Sequence, residues 1–131
     1  MTDLSETEEA NVLNNIAAGG VYVGLHTADE GQEPDGSNEV SASDYSRAFI
    51  AESDLTVSGA SPTTLTNDVD VSFTDSANEN WGDVSHAVLW DDTIANSGEP
   101  YTAAIPVSGG GTVESGIGVD IPSGELTVDM D

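Results

Sequence analysis

Two histidines, His26 and His86, are the side chains in this sequence best suited to proton transfer near neutral pH. Nucleophilic catalysis would place one of them beside a serine or cysteine, with a carboxylate that orients the imidazole. The chain has no cysteine, and its serines and aspartates are so frequent that such neighbours are expected by composition alone. His26 lies on the polar side of an alternating segment and His86 just precedes an apolar run, so we predict that both are surface or half-buried strand residues.

Carboxylates occur in pairs, as acid–base catalysis and glycoside hydrolysis require, at positions 68 and 70, 91 and 92, and 129 and 131. Composition alone accounts for these pairs, and no catalytic residue is predicted. Hard cations prefer clustered oxygen ligands, so one loop is a candidate site for a structural Ca²⁺ or Mg²⁺. Its carboxylates belong to Asp29, Glu30, Glu33 and Asp35. Their spacing is not that of an EF-hand, which favours a solvated loop, and no cofactor is predicted.

The charge balance is the most unusual property of the chain. Its 131 residues include 25 acidic ones and one basic one, Arg47, for a formal net charge of −24. The acids are spread between alternating apolar stretches, which indicates a folded protein with an acidic surface rather than a disordered segment. In dilute salt such a surface repels itself, whereas at molar salt the Debye length falls to about 3 Å and screens the repulsion. We therefore predict adaptation to high salt.

This charge also limits the partners of the protein. A surface with one arginine lacks the cationic contacts that nucleic acid requires. No segment approaches the length of a membrane span, and the first residues do not resemble a signal peptide. We expect no nucleic acid partner and no membrane insertion. The planar guanidinium of Arg47 suits bidentate pairing with a carboxylate, so we predict one strong charge-assisted bond with a structural role.

One helix is predicted, at about residues 5–18. Ser5 and Glu8 fit a capping box, and a Gly-Gly pair follows the helix. The segment carries an apolar stripe at helical spacing, formed by Val12, Leu13 and Ile16. This stripe would either dock onto a partner or cover one end of the protein's own sheets.

After the helix, apolar residues alternate with a period of two, which is typical of strands. The alternating or apolar segments lie at 21–26, 45–49, 55–57, 69–73, 85–90, 101–105, 117–121 and 126–130. Loops are predicted at 28–44, 58–62 and 109–111. About eight short strands favour a mainly β fold, an antiparallel β-sandwich or barrel, in a single domain over residues 1–131. Core packing is the expected role of Trp81 and Trp90.

Several segments, in order, resemble a family of small tailed-phage virion proteins commonly labelled phage tail fibre proteins. The strand at 21–29, the Glu-Val-Ser…Tyr-Ser-Arg segment at 39–47 and the C-terminal residues 121–131 match family segments. The strongest match is Trp-Gly-Asp-Val-Ser-His at 81–86. The acidic segment 28–38, and Pro62, Thr63 and Thr64 in place of a shorter turn, depart from the family pattern.

The resemblance implies a non-enzymatic structural protein of a tailed virus particle, here one adapted to a halophilic host in whose cytoplasm it would assemble. We expect a homo-oligomer on the tail or the capsid surface, in contact with other virion proteins. The alternatives are a capsid decoration or turret protein, or a module that binds a host receptor or a carbohydrate. An enzyme such as a glycosidase is least favoured. Arg47, Trp81, Gly82 and His86 are expected to serve structure.

Overall fold

The computed structural model describes residues 5–58, 63–74, 76–92 and 98–130. Within these residues the protein has one α-helix, α1 (Glu6–Ala17), one turn of 3-10 helix and nine antiparallel strands. The strands are β1 (Val21–His26), β2 (Ala48–Ile50), β3 (Leu55–Ser58), β4 (Thr63–Asn67), β5 (Val71–Thr74), β6 (Gly82–Trp90), β7 (Ile105–Val113), β8 (Val119–Ile121) and β9 (Thr127–Met130).

The strands form three sheets. Their orders are β2-β1-β6-β7, β3-β4-β9 and β5-β8. One apolar cluster joins them, because Val23 and Leu89 of the four-stranded sheet belong to the same core as Leu65 of β4 and Val71 of β5. This sandwich-like arrangement confirms the predicted mainly β antiparallel fold, and the described strands do not close into a barrel.

Helix α1 begins and ends as the sequence predicts. The hydroxyl of Ser5 accepts a hydrogen bond from the backbone N–H of Glu8 at 3.2 Å, which satisfies one free donor of the first turn. After the helix, Gly19 and Gly20 both have positive φ angles, of 78° and 86°, which glycine adopts without steric cost. The helix packs against β3 and β4, and Leu13 is fully buried there.

The prediction of a strand at 101–105 followed by a glycine loop is wrong. Strand β7 begins only at Ile105 and runs through Pro106 and the three glycines to Val113. Pairing with β6 continues across this segment, with Val84 opposite Gly111. In the described residues β7 pairs only with β6, so the missing N–H of a proline can be tolerated at the open edge.

Strand β4 was not predicted, because its residues are mostly polar. Thr63, Leu65 and Asn67 are nonetheless buried and lie on the inward face. Thr63 and Thr64, which the sequence places in a turn, therefore belong to a central strand, while Pro62 lies outside the described residues. The predicted strand at 45–49 is also shorter than expected, since β2 begins at Ala48 and leaves Tyr45 and Arg47 in the preceding loop.

Candidate functional site

The candidate site lies on the face of β1 and β6 that points away from the apolar core. Strand alternation directs Val23 and Leu25 into the core and turns Gly24 and His26 to the opposite face. Cross-strand pairing of β1 with β6 sets His86 opposite His26. Loop residue Glu39 also bridges to His26. The long loop between β1 and β2 therefore covers this part of the outer face and shields it from solvent.

A buried ion pair occupies the centre of this face. Arg47 donates from Nε to Oε2 of Glu39 and from Nη2 to Oε1 of Glu39, each at 2.8 Å. Both side chains are fully buried. The bidentate geometry that the sequence predicts for Arg47 is present, and its partner is the carboxylate eight residues earlier. Nη1 of Arg47 also donates to the backbone carbonyl of Asp92 at 2.7 Å, which connects this loop to the end of β6.

Tyr45 joins the ion pair to the backbone of β1. Its hydroxyl donates to Oε2 of Glu39 at 2.6 Å and accepts the backbone N–H of Leu25 at 2.9 Å. Burial, followed by the negative charge of Glu39, raises the pKa of the Tyr45 phenol above its ordinary range. Tyr45 is therefore held as a neutral hydrogen-bond donor, and the Glu39 carboxylate has partners on both of its oxygens.

The indole of Trp90 contacts two side chains of the cluster, those of Arg47 and His26. The guanidinium carbon of Arg47 lies 4.1 Å from the ring centroid of Trp90, a cation–π contact. The His26 ring is also stacked on this indole, with ring centroids 6.0 Å apart. Gly24 makes this packing possible, because a β-carbon there would lie 2.7 Å from Oε2 of Glu39 and 2.8 Å from Nε1 of Trp90. Within the described residues, neither Nε1 of Trp90 nor Nε2 of His26 has a hydrogen-bond partner.

His26 is fully buried, so the prediction that it lies at or near the surface is wrong. Its Nδ1 contacts a carboxylate oxygen of Glu30. Glu30 in turn accepts backbone N–H groups of the same loop, from Asp35, Gly36 and Asn38. A polar residue on the outer side of a strand was thus buried by the loop that follows it, and one carboxylate organises that loop.

The other histidine is half-buried, as the sequence predicts. Nδ1 of His86 lies 2.8 Å from the hydroxyl of Ser85, and its Nε2 lies 3.9 Å from Oδ2 of Asp29. Arg47, His26 and His86 are all the Arg, Lys and His residues of the chain. The fold brings the three together on one face of one sheet.

Trp81 and Gly82 lie at the start of β6, beside this cluster. The Trp81 ring is buried edge-on against Tyr45, and its Nε1 donates to Oδ1 of Asp44 at 2.8 Å. The backbone N–H of Asn78 and this indole N–H lower the pKa of Asp44. Gly82 has a φ of 91°, a conformation that other residues rarely adopt. These contacts fix the turn that leads into β6.

The acidic residues that the sequence offers for a cation are engaged separately. Oδ1 of Asp29 accepts the N–H of Gly31, and Oδ1 of Asp35 accepts the N–H of Ser37, which lowers the pKa of Asp35. Glu33 is exposed. Across the described part of the chain, no three Asp, Glu or His side chains converge in a way that could hold a metal ion. Calcium or magnesium binding therefore stays a prediction without a built site.

The sequence left open whether the apolar stripe of α1 docks onto a partner or covers the protein's own sheets, and the structure shows that its residues differ in exposure. Leu13 is buried under the helix, and Ile16 packs against the same core. Val12 is 38% exposed and faces solvent. Most of the stripe thus covers the protein's own sheet, and one edge of it remains accessible.

Sequence reasoning missed Glu39, Glu30 and Gly24 as parts of the cluster. Glycine inside an alternating strand indicates a close approach of other atoms, so Gly24 carried a usable signal. Glu39 carried none, because it is one of 25 acidic residues and only the fold selects it as the partner of Arg47.

These features define a small antiparallel β protein whose polar cluster is centred on the buried, mutually hydrogen-bonded side chains of Arg47, Glu39 and Tyr45. Residues 4–129 of the chain match the family described as "Podophage GP4 fiber I protein gp80". Since the match covers nearly the whole sequence, the chain belongs to this family. None of the curated proteins shows a significant match. Of the described residues, no helix is both long enough and apolar enough to span a membrane.

Proposed function

We propose that this protein is a non-enzymatic structural component of a tailed virus particle, a fibre protein in which the buried polar cluster serves rigidity. The observation that carries the proposal is the family match over residues 4–129. The geometry supports it, because Arg47, Glu39 and Tyr45 satisfy one another in the interior and offer no accessible nucleophile or base. Charge-assisted bonds are about twice as strong as neutral hydrogen bonds, so they hold the loop firmly to its sheet, as a rigid structural protein requires.

Purified particles offer the direct test of this proposal. We expect antibodies or a fused density tag on this chain to label the tail or the capsid surface in electron micrographs. Labelling at the capsid rather than at the tail would favour the decoration or turret alternative. Particles that contain none of the chain by mass spectrometry would contradict the proposal.

The receptor-binding alternative has less support from the geometry. Sugar-binding sites use the flat face of an exposed aromatic ring, whereas Trp81 and Trp90 are 5% and 1% exposed. Their replacement by alanine would damage the fold rather than a binding surface. The exposed aromatic rings are instead those of Phe49 and Tyr101.

We also propose that the protein is adapted to molar salt. In the described part of the chain most Asp and Glu residues are exposed or half-buried, and the one arginine is buried against Glu39, so no exposed arginine or lysine relieves repulsion among these carboxylates. Screening should raise the melting temperature steadily as KCl increases from dilute to molar concentration. Sucrose, which strengthens burial without screening charge, is the control. A melting temperature that sucrose raises but KCl does not would contradict this part of the proposal.

A further inference from the structure

An apolar groove lies between α1, the segment 101–106 and strand β9. Its volume is about 440 Å³, and its walls include Val12 and Ile16 of the helix, Tyr101 and Ile105 of the opposite side, and Val128 of β9. Two of these side chains, Val12 and Tyr101, are 38% and 41% exposed. Exposed apolar side chains that lie together in one groove indicate an interaction surface more strongly than the same residues scattered singly.

The groove also borders an open strand edge. Strand β9 pairs with β4 on one side, and no described strand pairs with its other side. The backbone N–H of Asn67 donates to the carbonyl of Leu126, and pairing in an antiparallel ladder alternates from residue to residue. The backbone N–H and C=O groups of Thr127 and Asp129 therefore point away from β4, to the side on which no described strand pairs. Unpaired groups at such an edge can bind a strand from another chain.

The charge of the groove identifies the kind of partner that it fits. One carboxylate, that of Asp129, is among its lining residues, in a chain with 25 acidic residues. A cationic partner would gain little here and more on the acidic remainder of the surface. A partner that is itself strongly acidic needs a contact region in which few carboxylates face each other. A second copy of this chain meets that requirement, since its own groove is equally poor in charge.

We propose that this groove is the surface through which copies of the chain self-associate, with the occupant supplied by a second copy. The inference rests on the proposed function as a virion component and on the homo-oligomer expected from the sequence, and it locates the contact that such an oligomer would use. Val12 and Tyr101 of each copy would leave water at the contact, and the open edge of β9 would gain backbone partners. Association should strengthen with salt, because screening reduces the repulsion between the two acidic surfaces.

A matched pair of valine variants tests the location of the contact. Val12 lines the groove, whereas Val69 lies outside it and is similarly exposed, at 41%. In molar KCl we expect light scattering to give the wild type a multiple of the 13.4 kDa monomer mass. Val12→Asp should weaken self-association roughly tenfold or more, because it places an unpaired carboxylate in a desolvated contact. Val69→Asp should leave the mass unchanged.

A second pair guards against effects on folding. Tyr101→Asp should dissociate the assembly as Val12→Asp does, and Phe49→Asp, an exposed aromatic residue outside the groove, should not. Circular dichroism melting identifies any variant that is unfolded. The inference is overturned if folded Val12→Asp and Tyr101→Asp both keep the wild-type mass, or if the control variants dissociate equally. A wild type that is monomeric at all concentrations in molar salt overturns it together with the homo-oligomer, while labelling of the particle tests the virion role separately.

Discussion

The two faces of strand β1 are buried in opposite ways. On the inner face, Val23 and Leu25 pack into an apolar core that needs only suitable volume and shape. On the outer face, Gly24 and His26 lie under a network in which Glu39, Arg47 and Tyr45 must meet with defined atoms at defined distances. One strand therefore contributes both to an apolar core that tolerates substitution and to a polar network that does not. The comparison predicts that a substitution of equal volume is mild on the inner face and severe on the outer face.

The largest expected effect comes from Glu39→Gln. The amide keeps the volume of the side chain but removes the negative charge with which the buried guanidinium of Arg47 is paired in a bidentate bond. Breaking a buried ion pair on one side costs about 3–5 kcal/mol of unfolding free energy. Urea denaturation in molar KCl measures the change, with the exposed Glu114→Gln as control. Equal midpoints for the two variants would show that the outer face tolerates loss of its charge.

A smaller loss is expected from Leu25→Ala on the inner face. Leu25 is 1% exposed, and removing its branched side chain leaves a cavity that costs about 3 kcal/mol, within a usual range of about 2–5 kcal/mol. Leu25→Met, which conserves volume, should cost less than about 1.5 kcal/mol. The same denaturation assay compares them, with Ile117→Ala, at a residue 49% exposed, as control. If Leu25→Met proves as damaging as Glu39→Gln, the contrast between the faces does not hold.

A smaller loss than that from Leu25→Ala sharpens the comparison by its dependence on pH. Tyr45→Phe deletes a hydrogen bond to the Glu39 carboxylate and the acceptor of the Leu25 N–H, at a cost of about 2 kcal/mol near neutral pH. The folded state raises the pKa of Tyr45, so this stabilisation is fully present below pH of about 10 and is lost as pH rises above it toward the folded-state pKa.

Unfolding free energies at a series of alkaline pH values test this dependence. The wild type should lose stability above a pH of about 10, and Tyr45→Phe should show a flatter profile that approaches the wild-type value. Phe49→Leu, which changes an exposed aromatic ring without removing a phenol, should reproduce the wild-type profile. A Tyr45→Phe profile parallel to that of the wild type would mean that the phenol proton does not stabilise the outer face.

The strands with a clear apolar pattern show what local sequence can predict. Strands β1, β6 and β9 follow the apolar alternation or runs in the sequence, and the Ser5 cap fixes the start of α1. Strand β4 escapes such reasoning, because its buried residues include Thr63 and Asn67. Their burial is offset by partners distant in sequence: the hydroxyl of Thr63 donates to Glu9, and the amide of Asn67 donates to the carbonyl of Pro122.

By itself, the sequence determined the mainly β fold, the N-terminal helix, the acidic exterior and the bidentate bonding of its single arginine to a carboxylate. Each of these follows from residue type or short-range spacing. Only the tertiary structure decided which of 25 carboxylates pairs with Arg47, and that His26 is buried. The reason is physical. Alternation predicts which side of a strand a residue faces. Whether that side meets water depends on the path of the loop at residues 27–47, which joins β1 to β2. That path is determined by contacts made only in the assembled fold.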